Sequence, residues 1–218
     1  MLYFDALRYS INIASNCHER ILKQITDYTY NKDAEKFDYY ELVSNSWTYI
    51  DHLSKIKIFC EKLNFKDPEN ILDSFSVCRF MRHTFQHLDE RIEEIFISNN
   101  MFIWGTYTWV ATRVPGKTYE LYSAMPGALK TVPVPINLPI DSSSTVEQEI
   151  LRFEVEGLIR FNKDKYEKRM FSFLDSFKVL KKISKSIEKS VENATKTLDP
   201  NTTFHSQDMT MMLTIEMP

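Results

Sequence analysis

The 218 residues are 43% hydrophobic and 13% aromatic, enough apolar material for one sizeable core or two small ones, which excludes disorder for most of the chain. A 26% charged fraction with a formal net charge of -3 fits a soluble globular protein and argues against non-specific coating of nucleic acid, which rests on phosphate neutralisation by Lys and Arg. No stretch approaches the roughly 18 apolar residues of a bilayer span, and Asp5 and Arg8 interrupt the only segment a secretory signal could use, so a cytoplasmic protein without a membrane partner is expected.

Helical periodicity runs through the first hundred residues. Phe4, Leu7, Ile11, Ala14, Ile21, Ile25 and Tyr28 recur at three- and four-residue steps, with His18 in one slot of the stripe, and predict a helix from about residue 3 to 29. His18 reads as a hydrogen-bonded core histidine. After the polar break Asn31-Lys32-Asp33, the residues from Tyr39 to Leu63 trace a second helix ending near Asn64. Pro68 separates it from a third helix over about residues 70 to 98, which Asp67 or Asn70 is placed to cap. On that helix Val77, Met81, Phe85, Leu88, Ile92 and Ile95 cluster within about 80° of a 100° per residue wheel. The opposite face presents Arg79, Arg82, His83, Gln86, His87, Glu90 and Glu93.

The pattern then changes. MFIWGTYTWVAT and TYELYSA flank Pro115-Gly116 and predict a hairpin; alternation from Leu151 to Phe161 predicts a third strand, with a helix capped by the preceding serines as the alternative. Helical period resumes at Tyr166 and continues through Met170, Phe173, Phe177, Leu180, Ile187 and Val191. The expected organisation is a helical core over 1–100, a β-rich insertion over 101–161, a helix over 162–195 completing the bundle, and a loose tail over 196–218. The fold class is mainly α: a helical bundle with a small antiparallel β insertion.

The four glycines are too dispersed for a dinucleotide fingerprint, a P-loop or a nucleophile elbow. Cys17, Cys60 and Cys78 are odd in number and far apart, and read as buried free thiols. Charge is uneven: residues 1 to 100 carry 12 basic and 16 acidic side chains, whereas Lys163 to Lys189 carry nine and four. The lysines from Lys178 to Lys189 read as a solvated face, and Trp104, Tyr107, Trp109, Tyr119 and Tyr122 as core aromatics rather than base-stacking platforms.

The string that carries chemistry is RFMRHTFQHLDERIEEIF. Arg82 and His87 stand five apart, which on one regular helix separates them by about 140° and 7.5 Å of rise. They do not converge on one atom unaided, but they can flank a shared cleft, the guanidinium contacting phosphate and the imidazole exchanging protons near neutral pH. His83, His87 and Glu90 offer an alternative, a zinc site on one face; local ion pairing on a solvated face is the plainest reading. Asp51 and His52, adjacent on the second helix, are placed to position a catalytic group.

Arg82-His83-Thr84-Phe85-Gln86-His87, on the polar face of a late amphipathic helix and preceded by WTYIDHLSKIK, resembles the HEPN family, whose hallmark is an arginine, a polar residue, and a histidine after a gap of four to six. His83 stands where asparagine is commonest. The resemblance covers about residues 1 to 98 and the last helix, and implies a HEPN-like bundle to which the strands are an elaboration. It further implies a metal-independent endoribonuclease of toxin or antiviral-defence type, or a noncatalytic dimerisation or regulatory relative. In such an enzyme Arg82 and His87 are catalytic, and His83, Arg79 and Gln86 position the substrate. The motifs meet across a homodimer interface, RNA is the substrate, an antitoxin protein is a candidate partner, and no cofactor is needed because the ribose 2′-OH is the nucleophile.

Overall fold

The computed structural model describes residues 2–31, 37–66, 70–93, 102–114, 118–125, 136–138, 149–162 and 165–196. Helices α1 (Leu2–Asn31) and α2 (Tyr39–Lys62) form the main hairpin of the bundle. Leu7, Ile11, Ala14, Ile21 and Ile25 on α1 are buried with Leu42, Ile50, Leu53 and Ile56 on α2, the stripes expected from period 3.6. Asp38 caps α2, its carboxylate accepting from the Tyr40 and Glu41 amides at 2.8 and 3.1 Å. At the other end Asn64 turns left-handed at φ 52°, and the Phe65 and Asn64 amides bond the carbonyls of Cys60 and Glu61. This double return satisfies carbonyls that the helix end would leave open.

The long third helix expected over 70 to 98 is broken. A single 3-10 turn over Ile71–Phe75 leads into α3 (Ser76–Gln86), His87 leaves helical geometry at φ -111°, ψ 35°, and α4 (Leu88–Ile92) follows. Residues 94–98 lie outside the described residues, as does Asp67. Asn70 precedes the turn in a left-handed conformation and its side chain caps nothing. The break has a local cause. Thr84 bonds back to the Phe80 carbonyl at 3.2 Å, a habit that bends helices, and the buried Arg91 side chain returns across the kink to donate to Thr84 Oγ1 at 3.0 Å. Lys57 of α2 ties the 3-10 turn down through Asp73 and Ser76, at 3.0 and 2.6 Å.

The sheet is antiparallel with order β3-β2-β1-β4-β5: β1 (Thr106–Val114), β2 (Thr118–Ala124), β3 (Ile136–Leu138), β4 (Ile150–Asn162) and β5 (Lys165–Ser172). The expected hairpin pairs Trp109 with Tyr122, and the third expected strand is β4. The helical alternative for that segment is not what the chain adopts. Nor does helix begin at Tyr166: residues 165–172 pair with β4, and α5 (Phe173–Lys196) starts only where Ser172 caps it. There the Asp175 amide donates to Ser172 Oγ at 3.3 Å and the Ser172 hydroxyl donates to the Asp175 carboxylate at 2.9 Å. The fold is mainly α with an antiparallel sheet. The tail from residue 197 lies outside the described residues.

Bundle and sheet share one core. Trp109 and Tyr122 stack at 5.1 Å, Phe153 and Phe173 at 4.4 Å, and the Trp109 indole donates to Thr29 of α1 at 2.9 Å. The Tyr30 hydroxyl reaches the Thr112 and Glu149 carbonyls, so the end of α1 is pinned to β1 and to the entry of β4. Tyr107, Trp109, Tyr119 and Tyr122 are buried, which makes them core and removes them as base-stacking platforms. Helix α3 sits against β4 at Gly157, where a Cβ would come 2.9 Å from the Met81 methyl; glycine permits that approach.

Candidate active site

The polar face of α3 carries all five expected site residues, but it divides them. Arg82 lies at the edge next to α2. Its Nε is 2.6 Å from Asp51 Oδ1, an ion contact outside hydrogen-bond alignment, and Asp51 Oδ2 meets Lys55 one turn along α2 at 2.6 Å. Gln86, with its amide oriented so that oxygen faces the guanidinium, accepts from Arg82 Nε and Nη2 at 3.2 Å each. Arg82 is thus held by a carboxylate and an amide while 28% of its side chain stays exposed. A guanidinium so oriented keeps donors for a phosphate without first having to order itself.

His83, the next residue along α3, is exposed. Its ring and that of His87 stand edge to face at 4.6 Å, and His87 Nδ1 lies 3.5 Å from Glu90. Because His87 terminates α3, the 140° separation expected from a regular helix does not apply to it. No hydrogen bond or ion pair joins Arg82 to His87 among the described residues. Arg79 is exposed one turn before His83. The local pairing expected from a solvated face is present in His87 with Glu90 and in Arg82 with Gln86, and Arg82 adds a tertiary contact with Asp51.

The electrostatics differ along this face. Partial burial, followed by the charges of Arg91, His87, Arg160 and Arg79, lowers the His83 imidazole below its ordinary value of 6.5. His52, next to Asp51, is also lowered, by burial and then Lys55, with Asp51 opposing, and its Nδ1 is buried without a hydrogen-bond partner.

Among the described residues no three His, Cys, Asp or Glu side chains gather as a metal would require, so the zinc alternative at His83, His87 and Glu90 finds no ligand geometry. Nor is His18 the hydrogen-bonded core histidine expected from its stripe. It is buried, stacked on Phe177 at 3.7 Å, and its Nδ1 has no partner; burial and then Lys181 lower its pKa to about 4. Cys17, Cys60 and Cys78 are buried free thiols. Lys178 pairs with Asp175 at 2.9 Å and Lys181 lies over the Phe177 ring at 4.6 Å, and both are exposed.

The sequence nominated Asp51 through its neighbourhood alone; the Asp51-Lys55 spacing of four was a signal of a helix-surface pair. Arg160 was missed, because a strand residue shows no helical register with the α3 face. Among the described residues no helix is long and apolar enough to cross a membrane. Comparison with models of known families, with curated proteins and with solved structures finds nothing that matches this chain.

Proposed function

We propose that the chain is a HEPN-like, metal-independent endoribonuclease of toxin or antiviral-defence type, acting as a homodimer. The observation that supports this most is the restraint of Arg82 by Asp51 and Gln86 on a face that also carries exposed His83 and partly exposed His87. A phosphate-directed guanidinium and a titratable imidazole are the two groups that RNA transesterification asks of a protein. His87 takes the proton of the ribose 2′-OH or returns one to the leaving 5′-oxygen; Arg82 stabilises the charge that builds on the phosphoryl oxygens. The phosphorus-to-5′-oxygen bond breaks as the 2′-oxygen bond forms, leaving a 2′,3′-cyclic phosphate. Arg82 of one subunit meets His87 of the other, since among the described residues no hydrogen bond or ion pair joins them within one chain, and His83, Arg79 and Gln86 hold the substrate. An antitoxin protein that covers this face is the partner such a toxin calls for.

A second reading is a noncatalytic dimerisation module. It draws on the same contact: the Arg82 charge is already answered by Asp51, and a phosphate must compete with that carboxylate. One assay separates the two. The purified protein, in chelator, is given mixed RNAs and the same sequences with every 2′-OH replaced by hydrogen. The enzyme cuts only the former and leaves cyclic phosphate ends; if both stay intact with or without divalent metal, the binding-module reading takes its place.

A further inference from the structure

The chain has three tryptophans, and they stand in three settings. Trp109 is buried with its indole N–H bonded to Thr29, and Trp47 is buried against α3 with its Nε1 enclosed. Trp104 is only half-buried, and its N–H is neither enclosed nor hydrogen-bonded among the described residues. An open indole edge of this kind sets Trp104 apart from the four aromatics that the sequence correctly placed in the core. Its place is nonetheless fixed. The Gly105 amide donates to the Phe102 carbonyl at 3.0 Å and closes a turn around residues 103 and 104. Gly105 has φ 81°, and a Cβ there would lie 2.7 Å from both the Glu156 carbonyl oxygen and Val155 Cγ2, so only glycine lets this turn rest so closely on β4. The Trp104 ring meets Phe85 at 5.1 Å, and Phe85 stacks on Trp47 at 4.6 Å with the planes 12° apart. Phe85 follows Arg82 by three residues on α3, about 4.5 Å along the axis and 60° round, and is followed directly by Gln86 and His87. A run of three rings therefore lies beside the restrained guanidinium, at the end of α3 where His87 stands.

We propose that Trp104 is the stacking platform for one unpaired nucleobase of the RNA strand whose phosphate Arg82 contacts. This deepens the ribonuclease reading and rests on it for the choice of RNA. Every base has a π face, so the platform accepts all four, with purines held more firmly because their face is larger. A base inside a duplex already has both faces stacked, so the platform selects single-stranded segments. The turn at Gly105 and the contact with Phe85 order the ring before RNA arrives, so little of the stacking gain is spent on immobilising a side chain. Trp104 contributes binding and moves no proton.

The test uses end-labelled single-stranded oligonucleotides with 2′-O-methyl riboses, which 2′-OH attack cannot cleave, carrying 2-aminopurine at successive positions. Anisotropy of the label reads affinity, and 2-aminopurine emission reads stacking. The unaltered protein should quench 2-aminopurine at one position. Trp104→Ala should abolish that quench and weaken binding by about tenfold, with the slope of log affinity against log salt unchanged because no charge is lost. Trp104→Phe should keep the quench and most of the affinity. Arg82→Ala should do the reverse of Trp104→Ala, keeping the quench and reducing the salt slope by about 0.7. Lys178→Ala, on exposed α5, should change nothing. Equal quenching and affinity in Trp104→Ala overturn the platform, even if ordinary RNA is cut. A loss that Trp104→Phe shares in full, or failure of the unaltered protein to bind at low salt, overturns it as well. Quenching that depends on Trp104 without any cleavage of ordinary RNA upholds the platform while removing the catalytic reading.

Discussion

The two flanks of α3 carry similar residues in opposite electrostatic settings. Toward α2, Arg82 is met by Asp51, which also holds Lys55, so charge is balanced by tertiary contacts and geometry is restrained. On the other flank, Arg79 and His83 are exposed, and burial with the charges of Arg91, His87, Arg160 and Arg79 lowers the His83 imidazole. A balanced, oriented cation suits a transition state whose charge develops at one place, whereas a lowered imidazole stays neutral near pH 7 and offers a hydrogen bond rather than a charge. The difference assigns charge stabilisation to one flank and neutral hydrogen bonding to the other.

The contrast breaks most sharply at the groups given chemistry. Arg82→Ala and His87→Ala should each lower RNA cleavage by about 10² or more while the fold persists, because both side chains lie on the polar face. Gel-based rates and thermal melts on the same preparations check this.

His18, on α1, shows what a lowered histidine does when it is buried against aromatic rings and not set among arginines. Its folded pKa of about 4 lies below the unfolded value of about 6.5, so the unfolded chain binds more protons in between. Stability is therefore full above about pH 6.5 and falls as pH drops toward 4, by at most roughly 3 kcal/mol. Denaturant titrations across that window should show the slope, and His18→Leu should flatten it.

Asp51→Asn sharpens the account of the balanced flank. Removing the carboxylate charge should lower kcat by about tenfold, less than deleting Arg82 itself, because the guanidinium is misplaced and not lost. The cost in stability should stay below about 1 kcal/mol, as for other partly exposed ion pairs. A larger fall in kcat than in 1/KM, with partial recovery in Asp51→Glu, marks orientation and not bulk folding.

The smallest effect is on titration. Arg79→Ala should move the His83 pKa upward, toward 6.5, by removing one of the cations that lower it. Arg82→Ala should leave it in place, since Arg82 is not among those cations. Histidine proton shifts in NMR read both.

Much of this arrangement was legible from periodicity. The stripes of α1 and α2, the β1–β2 hairpin and the β4 alternation follow directly from which side chains are apolar and at what interval. The α3 break was not, because it depends on Arg91 folding back on Thr84, and no periodic pattern distinguishes an arginine that bends inward from one that faces water. The start of α5 was misplaced because Tyr166, Met170 and Phe173 keep a helical interval by chance, while the backbone of Tyr166 and Met170 pairs with β4. The capping signal Ser172-x-x-Asp175 was present in the string and marks the true boundary. At the site, the polar face of α3 was readable, whereas the contact of Asp51 with Arg82 joins residues 31 apart and the charge of Arg160 comes from a strand; both need the tertiary fold.

The central claim is a composite site in which Arg82 and His87 come from different subunits. Mixing Arg82→Ala with His87→Ala protein, after subunit exchange, tests it most directly. Each heterodimer then holds one site with both residues intact and one with neither, so cleavage should return to about a quarter of the unaltered rate from two nearly inactive preparations. A mixture that exchanges subunits, shown by co-purification of differently tagged chains, and yet remains as inactive as its parents would contradict the account.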